Sequence, residues 1–201
     1  MLWLSPSPAL LASKSAVRRQ MLEAAGVPVE VRPADIDERA IEQRAGSANA
    51  GEVARLLAAA KAVAAGAGAP DRLVIAADQT LACEGRVFHK PEDRAAARRQ
   101  LATLRGRTHT LTAAVAVHFE GQVAFEHADS VKLTMRAFSN AFLDRYLDEA
   151  GERVLQSVGG YQLEGLGIQL FERIEGDYFT ILGLPLLPLL GYLRRAGFLL
   201  D

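Results

Sequence analysis

The sequence contains the segment Leu73-Val74-Ile75-Ala76-Ala77-Asp78-Gln79-Thr80, in which five apolar residues are followed directly by an acid, an amide and a hydroxyl. A short, continuous apolar run predicts a buried strand, whose carboxyl end would lie at Asp78. Ligands of open α/β sheets bind just outside the carboxyl ends of the strands. An acid held there, partly removed from water, is suited to act as a general base. Asp78 is therefore a candidate catalytic residue, and the alternative is that it caps a helix or turn.

Composition narrows the class of protein. The chain has 201 residues, enough for one domain or two small lobes, and its formal net charge of -1 argues against a dedicated nucleic-acid binder. Its one cysteine cannot form an internal disulfide, and no apolar stretch reaches the roughly 18 residues of a membrane span. The apolar start precedes the first cation, Lys14, which is the wrong order for a secretory signal. These features predict a cytoplasmic protein without nucleic-acid or membrane partners.

Serines and arginines crowd the first predicted turn from strand to helix. The apolar run Ala9–Ala12 predicts a strand, Ser13 or Ser15 can cap the following helix, and Arg18 and Arg19 fall in its first turn. The N-terminus of a helix attracts anions through its free N–H groups and its dipole. Hydroxyls and guanidinium groups added there would form a phosphate cradle. The alternative is an ordinary cap followed by solvated arginines.

Further charged residues are candidates for binding a metal or phosphate. The stretch Asp35-Ile36-Asp37-Glu38 is predicted to be a loop, either a solvated turn or a site for a hard cation such as Mg²⁺. Lys61 lies at the edge of the apolar stripe of a helix predicted over 52–65, where it either extends to water or faces a cleft. Lys90 precedes Pro91, which holds the backbone extended and suits a fixed charge aimed at a phosphate.

The rest of the chain predicts an α/β protein with a mixed sheet. Thr108–Phe119 and Val123–Met135 are strand-like runs joined through Glu120-Gly121, which predicts an antiparallel hairpin. Ser157–Gly167 carries four glycines, which allow a backbone to approach a ligand closely, although the spacing fits neither a Walker A loop nor a dinucleotide fingerprint. Ile168–Ile174 is predicted to resume as a strand.

Taken together, a series of motifs resembles those of the Maf family of nucleotide pyrophosphatases, also called septum-formation inhibitors. They stand in the family's order, over nearly the whole chain. They are Leu11-Ala12-Ser13-Lys14-Ser15-Ala16-Val17-Arg18, Asp35-Ile36-Asp37-Glu38, Lys61, Ala77-Asp78, Lys90-Pro91, Tyr161-Gln162-Leu163-Glu164-Gly165, Glu175-Gly176-Asp177-Tyr178 and Gly183-Leu184-Pro185-Leu186. Each motif is weak alone, and the ordered set is specific.

The resemblance implies a single domain over residues 1–201, with two lobes around a central cleft and flanking helices on an elongated, twisted mixed sheet of the Maf/ITPase-like kind. It also implies hydrolysis of a nucleoside triphosphate to the monophosphate and pyrophosphate with a divalent cation, Mg²⁺ or Mn²⁺, as part of nucleotide-pool housecleaning. A nucleotide-binding regulator of septum formation that does not hydrolyse, and a phosphotransferase, are the rival classes. The oligomeric state is left open, a homodimer included.

The resemblance assigns roles residue by residue. Asp78 would activate the water and Glu38 would hold the metal. Four residues would bind phosphate, with Arg19 a lesser candidate: Ser13, Arg18, Lys61 and Lys90. Three would tune the choice of base, with Tyr161 a candidate stacking face: Val17, Gln79 and Glu164. The commonest branch has threonine and glutamine where this chain has Gln79 and Glu164, and the branch that resembles it there prefers 7-methyl-GTP.

Overall fold

The computed structural model describes residues 2–46 and 49–201 and has a mixed α/β fold, as predicted. Its seven-stranded sheet has the order β2-β1-β3-β5-β6-β7, and β4 pairs with β3. The strands are β1 (Ala9–Leu11), β2 (Val29–Val31), β3 (Val74–Cys83), β4 (Arg86–Phe88), β5 (Thr108–Phe119), β6 (Gln122–Met135) and β7 (Phe171–Glu175). The helices are α1 (Ala16–Ala24), α2 (Glu38–Ala45), α3 (Ala50–Gly66), α4 (Arg94–Leu104), α5 (Asn140–Ala150), α6 (Tyr178–Ile181) and α7 (Leu186–Arg195).

The chain divides into two compact units, each with its own hydrophobic core. Unit 1 comprises Met1–Asp78, Ala113–Asp129 and Gly183–Asp201. Unit 2 comprises Gln79–Thr112 and Ser130–Leu182. Three long strands, β3, β5 and β6, contribute residues to both units.

Small side chains bring helix α3 close to the sheet in unit 1. Strand β1 runs parallel to both β2 and β3, with Leu10 opposite Val74. The buried alanines of α3 recur at a spacing of four residues, Ala54, Ala58 and Ala62, and they share one apolar cluster with these strands. Because alanine adds little bulk, the helix can lie against the strands and carry its neighbouring residue Lys61 toward them.

Strand β3 differs from its prediction in length. It does not end at Asp78 but continues to Cys83, so Asp78 lies inside the strand and caps neither a helix nor a turn. The continuation is stabilised by buried Leu81, which pairs with Phe88 of the antiparallel strand β4. Because side chains alternate along a strand, Asp78 and Gln79 project from opposite faces of β3.

Two hairpins turn at a Glu-Gly pair, and the one between β5 and β6 lies at Glu120-Gly121 as predicted. The φ angles are 49° and 78° at Glu84 and Gly85, and 51° and 79° at Glu120 and Gly121. Positive φ at both central residues matches the right-handed twist of the flanking strands, and glycine adopts it without strain. These turns fix the register of β3 with β4 and connect β5 with β6.

The acidic stretch 35–38 was predicted to be a loop, but its last residue, Glu38, belongs to a helix. Asp37 caps helix α2 by accepting a 3.0 Å hydrogen bond from the backbone N–H of Ala40, and Glu38 is the first residue of the helix. An aspartate cap followed by a glutamate in the first turn complements the helix dipole. Glu38 therefore stands on a helix, although none of the side chains of α2 is buried.

The strand predicted over Ile168–Ile174 begins later than expected. Residues Leu166–Leu170 form a 3₁₀ turn, and β7 covers Phe171–Glu175. Within this turn the backbone at Gly167 lies so close to Gln162 that a Cβ atom would be 2.4 Å from the carbonyl oxygen of Gln162. Apolar alternation alone could not indicate that close contact.

Candidate functional site

Two of the predicted acids converge on one lysine within unit 1. The Nζ atom of Lys61 lies 2.5 Å from Oδ1 of Asp78 and 2.9 Å from Oε1 of Glu38. The side chains of Lys61 and Asp78 are only 13% and 12% exposed, whereas that of Glu38 is 53% exposed. The lysine therefore does not extend to water, and its charge compensates a nearly buried carboxylate that would otherwise be poorly solvated.

Arg18 joins this group through backbone oxygens. Its Nη1 donates to the carbonyl of Ala77, directly before Asp78, at 2.7 Å, and its Nε donates to the carbonyl of Gly183 at 2.8 Å. Burial lowers the pKa of Arg18, while the charges of Asp78 and Glu38 act to raise it. The guanidinium thus holds together the turn after β1, strand β3 and the segment before α7.

The two serines of the first turn have different tasks. Ser15 is the N-cap of α1 and accepts from the backbone N–H of Arg18 at 3.3 Å. Ser13 is buried, and its Oγ accepts from the N–H of Ser15 at 3.2 Å and from Nη1 of Arg18 at 3.3 Å. Arg19 is exposed on α1 and lies 3.9 Å from Glu23. The turn thus gathers Ser13 and Arg18 beside the acids and leaves Arg19 outside that group.

Gln79 is fixed by two hydrogen bonds within unit 2. Its Nε2 donates to the carbonyls of Thr180 at 3.1 Å and Ile181 at 2.9 Å. The orientation of an amide is usually ambiguous, but two carbonyl neighbours require the NH₂ group on that side. Both donors of Gln79 are therefore committed to the backbone, and toward a ligand the side chain can only accept.

The remaining predicted site residues are distributed over both units. Val17 is partly buried in α1 of unit 1. Lys90 and Glu164 belong to unit 2 and are exposed, Lys90 just after β4 and Glu164 in a turn of the glycine-rich segment. The structure therefore gathers Ser13, Arg18, Glu38, Lys61 and Asp78 in unit 1, whereas Gln79, Lys90 and Glu164 lie in unit 2.

Tyr161 does not offer the stacking face predicted for it. Its side chain is buried, its hydroxyl lies 2.7 Å from Nε2 of His109, and its ring packs against Phe171 with centroids 4.8 Å apart. Burial raises the pKa of Tyr161 well above its usual value and lowers that of His109 to about 4, so both side chains are neutral near pH 7. They anchor the glycine-rich segment in the core of unit 2.

Sequence reasoning missed several positioning groups. Gly183, whose carbonyl accepts from Arg18, has a φ of 91°, and a Cβ there would lie 3.0 Å from Nη2 of that arginine. The glycine before Leu184-Pro185 was the available signal, although it indicated only the start of a helix. His109 and the carbonyls of Thr180 and Ile181 gave no sequence signal, because their partners are distant along the chain.

The acids also fit a divalent cation. Oε1 of Glu38 and Oδ1 of Asp78 each lie within hydrogen-bond distance of one ammonium, so a single cation between them could contact both. Across residues 2–46 and 49–201, no three His, Cys, Asp or Glu side chains come together to hold a metal. Two carboxylates fit Mg²⁺ or Mn²⁺, which take oxygen ligands and complete their coordination with phosphate and water.

The mixed α/β fold thus brings a nearly buried aspartate, a half-exposed glutamate, a lysine, an arginine and a capped helix N-terminus together in unit 1, a combination typical of sites that bind phosphate. Comparison with known proteins identifies the family. The sequence profile described as "Maf-like protein" matches residues 8–196. The chain belongs to the Maf family, as the motifs of the sequence indicated.

Relatives with assigned names match the chain over nearly its full length. A nucleoside triphosphate pyrophosphatase of Nitrobacter winogradskyi is 53% identical over 198 residues, covering 98% of each chain. A 7-methyl-GTP pyrophosphatase of Rhizobium etli is 52% identical over 191 residues, covering 94% of this chain and 96% of the relative. In the part of the chain that the structure describes, no helix combines the length and apolar character needed to cross a membrane.

Proposed function

We propose that this protein is a nucleoside triphosphate pyrophosphatase, which hydrolyses the bond between the α- and β-phosphates. The observation that carries the proposal is the contact of Asp78 with Lys61, with Glu38 and Arg18 beside them. An acid, two cations and a second carboxylate supply a base, phosphate ligands and a metal ligand in one place. Relatives about 50% identical over almost the full chain bear the name of this activity.

The reaction requires a base, charge neutralisation and a leaving group. Water attacks the α-phosphorus, a new P–O bond forms as the bond to the β-phosphate oxygen breaks, and Asp78 takes the proton of the water. Pyrophosphate leaves with increased charge, which four residues would balance as phosphate ligands or by their charge: Ser13, Arg18, Lys61 and Lys90. Glu38 and Asp78 would hold the divalent cation, which supplies Lewis-acid neutralisation of phosphate oxygens.

Two rival functions differ from this one in a measurable product. A regulator that binds nucleotide without hydrolysis would release no pyrophosphate, and a phosphotransferase would require an acceptor other than water. The presence of both acids, Asp78 and Glu38, favours hydrolysis, because binding alone does not need a base.

Release of pyrophosphate by the purified full chain tests the proposal. We expect each productive nucleotide of a panel to give one pyrophosphate and one monophosphate, with activity lost in excess EDTA and restored by Mg²⁺ or Mn²⁺. Glu38→Gln should raise the metal concentration needed for half-maximal rate. Absence of pyrophosphate release across the panel would contradict the proposed function, and full activity in EDTA would remove the metal from it.

The proposed substrates are guanine and 7-methylguanine triphosphates rather than those of thymine or uracil. A carboxylate such as Glu164 can only accept hydrogen bonds, and Gln79 has both its donors committed to carbonyls. Guanine offers two adjacent donors, N1–H and the 2-amino group, whereas thymine and uracil offer one donor between carbonyls. Methylation at N7 makes the ring cationic, and a carboxylate partner then gains charge assistance.

Glu164→Gln is expected to reduce the preference for guanine nucleotides by about tenfold or more, since a mispaired polar group costs about 1–3 kcal/mol. The measurement is kcat/KM for GTP and 7-methyl-GTP against dTTP and UTP. The matched control is Glu172→Gln, which removes another exposed carboxylate of unit 2 and should leave the ratio unchanged. Equal wild-type rates on dTTP, UTP and the guanine nucleotides would exclude this role for Glu164.

A further inference from the structure

The contact between Lys61 and the two acids has a consequence for how a metal enters. The ammonium lies between Oδ1 of Asp78 and Oε1 of Glu38, at 2.5 and 2.9 Å. A divalent cation that bridges these oxygens would need the same space. Metal and ammonium therefore compete for one position, and any metal that entered would also face the positive charge of the displaced lysine at close range.

Movement of Lys61 away from the two acids is unfavourable in the free protein. Its side chain is 13% exposed, so moving away would surrender two charge-assisted hydrogen bonds without full access to water. The side chain of Asp78 is equally enclosed, and it would lose the cation in direct contact with it. Binding of a free metal ion would require the loss of the hydrogen bonds of Lys61 and of the contact between Lys61 and Asp78, because the ion brings no new partner for Lys61.

A nucleoside triphosphate changes this balance. Its phosphate oxygens offer the ammonium a new anionic partner, and its bound metal arrives with part of its charge already neutralised. Arg18 remains in place meanwhile, because its Nε and Nη1 are bonded to the carbonyls of Gly183 and Ala77. Lys61 is held by two acidic side chains, whereas Arg18 is also held by two backbone carbonyls, so Lys61 is the cation that phosphate can draw away.

We propose that Lys61 is an internal counter-ion that closes the Glu38–Asp78 pair to free divalent cations, so that the metal enters only with the triphosphate. The inference rests on the proposed function, whose substrate it takes as given. It adds an order of binding to that function: the nucleotide–metal complex binds as one unit, and Lys61 moves from the carboxylates to the phosphates.

The test measures binding of Mn²⁺ alone to the nucleotide-free full chain, by electron paramagnetic resonance of the unbound ion. Wild type should bind Mn²⁺ weakly, and Lys61→Met should bind it at least about tenfold more tightly, because a positive charge has been removed from between two carboxylates. The double variant Lys61→Met/Glu38→Gln should lose the gain. The matched control is Lys132→Met, which removes an exposed lysine of β6 and should bind as wild type does.

Two further measurements test the inference, and the second uses wild type alone, so it does not depend on the folding of Lys61→Met. Thermal unfolding should show Mn²⁺ stabilising Lys61→Met more than wild type, since the metal replaces the missing counter-ion. In wild type, a non-hydrolysable triphosphate analogue should increase the amount of Mn²⁺ bound beyond what the free analogue binds. Equal Mn²⁺ affinity in wild type and Lys61→Met, or tight binding by wild type without nucleotide, would overturn the inference.

These outcomes are separable from those of the proposed function. If wild type releases pyrophosphate but Lys61→Met gains no affinity for Mn²⁺, the order of binding is wrong and the activity stands. If no nucleotide is hydrolysed, the activity is wrong, whatever Mn²⁺ binding shows.

Discussion

Asp78→Asn is expected to lower kcat for pyrophosphate release by about 10²-fold or more, with nucleotide binding largely retained. Asparagine has nearly the same shape but cannot take a proton from water, and because Asp78 would also help to hold the cation, the rates are compared at saturating Mg²⁺. The position inside strand β3 fixes the backbone on both sides, so the substitution should change the chemistry of the side chain more than its placement. Steady-state kinetics with equilibrium binding of a non-hydrolysable analogue separate the two effects.

The matched control for this experiment is Asp71→Asn. Asp71 is an exposed aspartate of unit 1 that precedes β3, and its replacement by asparagine should leave kcat unchanged. Each variant is first compared with wild type in thermal unfolding, because Asp78 is also the partner of Lys61. A kcat near wild type in folded Asp78→Asn would remove Asp78 from the role of base.

Arg18→Met is expected to destabilise the protein by about 2–5 kcal/mol, since at least two carbonyls lose their donor and each costs about 1–3 kcal/mol when left unsatisfied. For a chain of this size, at about 2–4 °C per kcal/mol, that loss corresponds to a fall in the unfolding midpoint of roughly 4–20 °C. The acceptors are the carbonyls of Ala77 and Gly183. Arg18→Lys should recover only part of the loss, because an ammonium lacks the planar fork of donors.

Arg19→Met provides the control, one residue further along α1. Arg19 is exposed and has only a 3.9 Å ion pair with Glu23, an interaction of at most about 1 kcal/mol at a surface. The unfolding midpoint of Arg19→Met should stay within a few degrees of that of wild type, as expected for a surface substitution. Similar midpoints for Arg18→Met and Arg19→Met would contradict the anchoring role given to the Arg18 guanidinium.

Local chemistry made much of the fold predictable. Ser15 before α1 is a cap whose side chain accepts from the helix backbone, and the sequence showed it as a serine ahead of periodic apolar residues. The Glu120-Gly121 turn required positive φ, which a glycine after a polar residue supplies. These signals act over a few residues and do not depend on the rest of the chain.

The features that the sequence did not predict depend on residues that are distant along the chain. Asp78 was predicted to end its strand because the apolar run stops there, but the strand continues and Lys61 compensates the charge of Asp78 within it. The helical position of Lys61 was compatible with water or with a cleft, and only the contact with β3 decides between them. Arg18 and Gly183 are separated by 165 positions, so no local pattern could indicate their hydrogen bond.

The glycine-rich segment Ser157–Gly167 affects how substrate preference can change in evolution. Tyr161, Leu163 and Gly167 are buried and hold its path, whereas Glu164 between them is exposed. An exchange at position 164 therefore disturbs almost no packing and should alter folding stability by less than about 0.5 kcal/mol. With the role proposed for Glu164, a substitution there would change base preference without a large loss of stability, so new substrate preferences could arise by single substitutions that leave the protein folded.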